Sequence, residues 1–206
     1  LHVGALSDAV NVGTVPSWLT VATGGVLVGG SFLGTSLLTD HEGIRAINAW
    51  GVLVPTTATL RRALVLATRA VGVLGLVLVL RAAAVGSTDP AANFAIVVVW
   101  IGWWAGFAMS TYLVGNAWPL VNPWRTVAGA LPGSGRHDLP ADAGAWPAVV
   151  GLLALVYVEV VSPLAADPRA LGVVVVAYSL LALAGAYRYG ADAWFGRVDP
   201  VSRVFA

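Results

Sequence analysis

The chain has no cysteine and no lysine, three histidines and one methionine, and only 10% of its 206 residues are charged. Each scarcity excludes something. Without cysteine there are no disulfides, iron–sulfur clusters, thiolate zinc sites or covalently attached haem; the redox compartment stays open. All eleven basic residues are arginine, a bias that reads as genomic (high GC, or a halophile) more than functional. A soluble domain carries about 25% charged residues, and a chain that is 58% hydrophobic cannot build a water-facing surface from so few. Net charge of +1 gives no reason to expect a nucleic acid partner.

Reaction signatures are missing as well. Gly-x-Ser-x-Gly, His-Glu-x-x-His and P-loop patterns do not occur. His2, His41 and His137 lie outside every long apolar run, so the chain alone supplies no facing axial ligands for a haem in a membrane core. Neighbouring side chains on a helix point in different directions, so Asp40-His41-Glu42 reads as a solvated helix start, not a metal cluster. His137 and Asp138 sit in the Gly- and Pro-rich stretch 131–140, which reads as a loop. No cofactor, metal or catalytic residue is assigned, and the reading leans away from an enzyme.

What the chain does have is apolar length. Five stretches, 17–38, 63–85, 93–114, 146–163 and 170–190, each approach or exceed the roughly 20 apolar residues that a helix needs to cross about 30 Å of hydrocarbon. The expected fold is all-α: a polytopic transmembrane helix bundle of about five spans, with 1–206 forming one helical domain. Leu1 is not a methionine, no signal peptide of the usual form follows it, and Ala206 falls inside what reads as a starting helix; a fragment of a longer chain is expected. Arg45, Arg61, Arg62, Arg125, Arg136, Arg188, Arg197 and Arg203 fall on one side of the spans, and only Arg81 and Arg169 on the other. The positive-inside rule makes the first side cytoplasmic, with the N-terminus out and the C-terminus in, and the location a cell membrane. A short interfacial helix is expected at 39–54, with Thr39 and Glu42 at capping-box spacing, Ile44, Ile47, Trp50 and Val54 on one face, and Pro55 ending it. Thr57 is placed to cap the second span.

Three sets of residues stand out. Gly25/Gly29 and Gly30/Gly34 are small-xxx-small pairs in the first span, which suit close helix packing inside the bundle or against a second subunit. Asn116, Trp118, Asn122, Pro123, Trp124 and Arg125 follow the third span. Asn before Pro suits a helix start, while the two indoles and the arginine suit an interfacial anchor or a docking loop. A shorter echo, Val198-Asp199-Pro200-Val201-Ser202-Arg203, follows the fifth span and suggests either an internal repeat or convergent capping on the cytoplasmic side. Ionisable groups within a span form the third set: Glu159 and Arg69, with Arg81 the better-placed partner for Glu159. A carboxylate there can pair with arginine, lie at a solvated end of the span, relay protons or bind a cation; Arg69 can snorkel.

The Asn122-Pro123-Trp124-Arg125-Thr126 run after Trp118-Pro119, with Phe195-Gly196-Arg197-Val198-Asp199-Pro200, resembles a group of multi-pass prokaryotic membrane proteins of actinobacteria and haloarchaea, some labelled fenitrothion hydrolase-like. The resemblance implies organophosphate ester hydrolysis but carries no nucleophile or metal ligand onto any position; Ser110, Thr111 and Tyr112 have no histidine near them in sequence. Three functions are therefore expected in descending order: a subunit or scaffold of a membrane assembly, meeting lipids, other membrane subunits or a second copy; a transporter or permease component using Glu159; and, by resemblance alone, a membrane hydrolase.

Overall fold

The computed structural model describes residues 57–113, 115–132, 135–140 and 144–205, with Arg45 and scattered positions between 22 and 33. The protein is an all-α helical bundle, and no strand occurs among the described residues. Among the described residues, three helices are long and apolar enough to cross a membrane: Ala58–Val85, Phe94–Thr111 and Pro168–Tyr189. Trp146–Val161 is equally apolar in character but has 16 residues, about 24 Å of helix. These four correspond to the second through fifth expected spans. The chain divides into two compact units, one of 1–10 with 59–206 and one of 11–58, where the sequence reading takes one domain.

In the smaller unit, Gly25, Gly29 and Gly30 fall on helical residues, and a Cβ added at any of them meets open space. Gly34 and the interfacial helix 39–54, apart from Arg45, lie outside the described residues.

The larger unit begins with α1, Ala58–Val85. A single turn of 3₁₀-helix, Pro90–Ala92, leads to the composite rod α2: α-helix Phe94–Val97, π-helix Val98–Phe107 and α-helix Ala108–Leu113. Short helices α3, Trp118–Val121, and α4, Pro123–Ala130, follow. Then come α5, Trp146–Val161, and α6, Pro168–Tyr189. The chain continues through α7, Ala191–Ala193 running into the π-helix Trp194–Val198, and ends with α8, Pro200–Val204.

Local chemistry explains the boundaries. Asn93 is buried and joins two helices: its Oδ1 accepts from the Ala95 and Ile96 amides, and its Nδ2 donates to the Ala82 and Ser87 carbonyls. It therefore satisfies the first orphan donors of α2 and a late carbonyl of α1 together. Asp167 caps α6 through the Arg169 and Ala170 amides, with Pro168 at the first position. Gly190 ends α6 at φ +88°, a left-handed conformation that favours glycine.

α1 and α5 run one way, α2 and α6 the other. Near the Asn93 end, Val79, Ala83, Ile96, Trp100 and Leu171 form one buried cluster. Toward the Gly190 end, Trp118, Trp124, Ala182, Ala186, Phe195 and Phe205 form a second. Outward faces are apolar too: Leu66, Leu74, Val173 and Leu180 are each at least 60% exposed. Residues that are apolar all round a helix suit lipid, where association depends on close packing.

Candidate functional site: two broken helices beneath an apolar cavity

The Asx-Pro segments that stand far apart in sequence meet in space. After α2, Gly115 takes φ +126°, Asn116 Oδ1 accepts from the Trp118 amide at 3.0 Å, and α3 closes one turn. Asn122 then caps α4, its Oδ1 accepting from the Arg125 amide at 2.9 Å. The second break follows the same grammar. Asp199 ends the π-helix of α7 and caps α8, its Oδ2 accepting from the Ser202 amide at 2.7 Å. Both caps are 1% exposed.

Ser202 joins the two. Its hydroxyl accepts from Asn122 Nδ2 at 3.3 Å and from Trp118 Nε1 at 3.2 Å. On the other side of the same turn, the Tyr178 hydroxyl donates to Asp199 Oδ1. Trp124 Nε1 donates to Ser179 Oγ at 2.7 Å, and its ring meets Tyr178 edge-on at 4.7 Å. The result is one buried polar clasp, running from Asn122 through Ser202 and Asp199 to Tyr178.

Its height follows from helix arithmetic. Tyr178 lies ten residues from the start of Pro168–Tyr189 and eleven from its end (178 − 168 and 189 − 178), about 15 Å from either. The first break also packs against the middle of α1: a Cβ at Gly72 would stand 1.8 Å from the Val121 carbonyl oxygen. The second rests on α5, where a Cβ at Gly151 would stand 3.1 Å from the Pro200 ring. Both breaks thus sit within the bundle, the first beside the middle of α1 and the second tied to the middle of α6.

The residues expected to form an interfacial or docking loop are packed mostly inside the larger unit. Trp118 is 3% and Trp124 8% exposed, and Asn122 and Pro123 are buried. Their indoles donate inward to serine hydroxyls instead of sitting half wet at a headgroup layer. Of that set only Asn116 is exposed and Arg125 half-buried. Arg125 pairs with the exposed Asp192 of the same chain, so its carboxylate partner is internal.

On the Asn93 side of the clasp opens a cavity of about 320 Å³, lined by α1, α2, α5, α6 and the two breaks. Val121 and Pro123 border it from the first break, Val201 and Val204 from the second, and Tyr178 from α6. Five indoles contribute: Trp100, Trp103, Trp104, Trp118 and Trp124. Three of them come from the π-helical stretch Val98–Phe107. π-Helical turns are rare and frequently mark functional sites, and here the stretch runs for ten residues. Trp100 and Trp103 also carry buried indole N–H groups with no acceptor among the described residues, each a cost of about 1–3 kcal/mol.

Glu159 is the one charged residue lining this cavity among the described residues. The structure does not bring it to Arg81 or Arg69. Both arginines are exposed on α1, and the one ion pair among the described residues is Arg125–Asp192. Glu159 has no hydrogen-bond partner among them either. The pairing expected from sequence is therefore replaced by an unpaired carboxylate in an apolar wall.

Other sequence candidates have local roles. Ser110 and Thr111 donate to the Phe107 and Ala108 carbonyls, both at 2.7 Å, and so close back onto their own helix. The His137 amide donates to the Arg188 carbonyl at 3.2 Å. Among the described residues no group of three or more acidic or histidine side chains comes together that could hold a metal ion.

Tyr178, Ser179, Ser202 and the indoles of Trp100 and Trp103 were not singled out by sequence reasoning, and Asp199 was noted only as a motif. A signal was present: Tyr178-Ser179 is an adjacent pair of hydroxyls at the centre of an apolar span, where polar groups find partners across helices.

The fold and this site define the class, an α-helical membrane protein with a cavity inside the bundle. The chain matches no protein-family model, no curated protein and no solved structure.

Proposed function

We propose that this chain is the ligand-binding core of a multi-pass transport protein of the cell membrane, with its Gly190 end facing the cytoplasm. One observation carries the reading: two helices, each broken at a buried Asx-Pro cap, are tied together within the bundle on the floor of a cavity. Non-helical backbone at membrane depth is tolerated only where protein buries it or a cavity adjoins it. Discontinuous helices in paired positions are the feature on which many secondary transporters build midplane binding sites. The Asn122-Pro123 and Asp199-Pro200 echo supplies that pairing. The scaffold reading draws on the glycine-rich first span, the interfacial helix and the Trp/Arg loops; of these, Trp118, Trp124 and Arg125 have partners within the chain. No observation favours the hydrolase reading.

The absence of native cysteine makes a direct test clean. Val175 lines the cavity. In vesicles, Val175→Cys should react with a membrane-impermeant methanethiosulfonate added from either face, since a carrier exposes its site alternately. Reaction from one face alone, or from neither, removes the proposal.

A further inference from the structure

We infer that the cavity takes an amphipathic organic cation, an ammonium group carried on an apolar or aromatic body; the inference deepens the transport reading and rests on it. Three observations converge. The wall is apolar almost throughout, so it offers a sugar or another polar neutral ligand few hydrogen-bonding partners. Its one charged lining group among the described residues, Glu159, is a carboxylate with neither an ion-pair nor a hydrogen-bond partner there. Five indoles, Trp100, Trp103, Trp104, Trp118 and Trp124, share the same wall.

The physical chemistry selects among ligand classes. Glu159 is half-buried with no partner of its own among the described residues, and a carboxylate beside an apolar wall attracts an opposite charge more strongly than it would in open water. An anion would be repelled by it. A bare divalent metal ion asks for six or more oxygen ligands, and the cavity wall presents one carboxylate and one phenol. An ammonium group with an apolar body needs no such shell. Indole is the best of the aromatic faces for attracting a cation, and apolar substituents gain by leaving water for a wall of this kind. About 320 Å³ lies in the range of small-ligand pockets.

The cavity also has a direction. Val71, Val121 and Tyr178 mark its floor, while Leu164, Leu171 and Glu159 mark its other end, nearer Asn93. Glu159 is two residues from the end of Trp146–Val161. A cation entering from that end meets the carboxylate before the floor. The polar clasp below separates it from the opposite face.

The test uses the full chain in a neutral detergent, with calorimetric titration of benzyltrimethylammonium and of neopentylbenzene, its uncharged carbon isostere. The wild-type protein should bind the cation at least about tenfold more tightly, the factor that 1.4 kcal/mol represents. Glu159→Gln should weaken the cation about tenfold and leave the isostere unchanged, while Glu159→Asp should keep most of the preference. Equal affinity for the two compounds, binding of neither, or a cation affinity indifferent to Glu159→Gln overturns the inference. The comparison of two ligands on the unaltered protein keeps it falsifiable even if the variants fold poorly. If Val175→Cys reacts from both faces while binding ignores charge, the ligand class fails and the transport reading stands. If the charge preference holds while Val175→Cys reacts from one face alone, the site stands and transport fails.

Discussion

The two helix breaks share a local grammar and differ in what holds them. At Asn122-Pro123 a neutral amide caps an eight-residue helix, and the preceding turn is pressed against the backbone side of α1. At Asp199-Pro200 a carboxylate caps a five-residue helix, and the proline ring rests on α5 with looser contact. Both breaks are hydrogen-bonded, but the first is also held by steric fit against a neighbouring helix, while the second centres on a buried carboxylate. Two sites with one sequence pattern can therefore respond differently to the same perturbation, as an element meant to move against a fixed one would.

The largest expected effect is at Gly72. A methyl group there would collide with the Val121 carbonyl at 1.8 Å, whereas Gly75 on the same helix has open space. Gly72→Ala should lower stability in detergent by about 3 kcal/mol or prevent folding, and Gly75→Ala should leave the thermal midpoint unchanged. Equal midpoints would show that the first break is not sterically held. Gly151→Ala, facing only the Pro200 ring at 3.1 Å, should cost clearly less than Gly72→Ala.

Next in size are the caps themselves. Asp199→Ala strips the acceptor from the Tyr178 hydroxyl and the Ser202 amide, a loss of about 3 kcal/mol. Asn122→Ala removes one cap bond and one bond to Ser202, about 1–2 kcal/mol. Chemical or thermal melts of the two variants should rank in that order; the reverse ranking would mean the carboxylate is not what holds the second break. Ser202→Ala cuts the side-chain link between the breaks and should cost about 1 kcal/mol. Combined with Asn122→Ala it should be less than additive, because the two share a bond. The smallest effect belongs to Arg125→Ala. Its partner Asp192 is 93% exposed, so the loss should be about 0–1 kcal/mol and shrink further in high salt.

How much of this was legible in the letters differs by residue. Helices 58–85, 94–113 and 168–189 follow expected spans closely, because apolar length and Asx-Pro caps act within a few residues of one another. Asn122 and Asp199 reading as helix starts is equally local. Their depth is not. Trp118 and Trp124 beside a proline and an arginine look like interfacial anchors; only the partners Ser202 and Ser179, 84 and 55 residues away, turn them inward. Glu159 was visible as a charge within a span, yet its neighbours were not, since a helix position says nothing about which other helix faces it.

By itself the sequence determined that this is an α-helical chain suited to lipid, because apolar composition and backbone hydrogen bonds within four or five residues require no knowledge of distant contacts. The tertiary structure alone decided that two Asx-Pro breaks meet inside the bundle, that they share Ser202, and that Glu159 is among the residues lining an indole-walled cavity. Those facts depend on how helices cross and which faces touch, and in an apolar bundle, where nearly every face is acceptable to lipid, the one-dimensional pattern leaves that choice open.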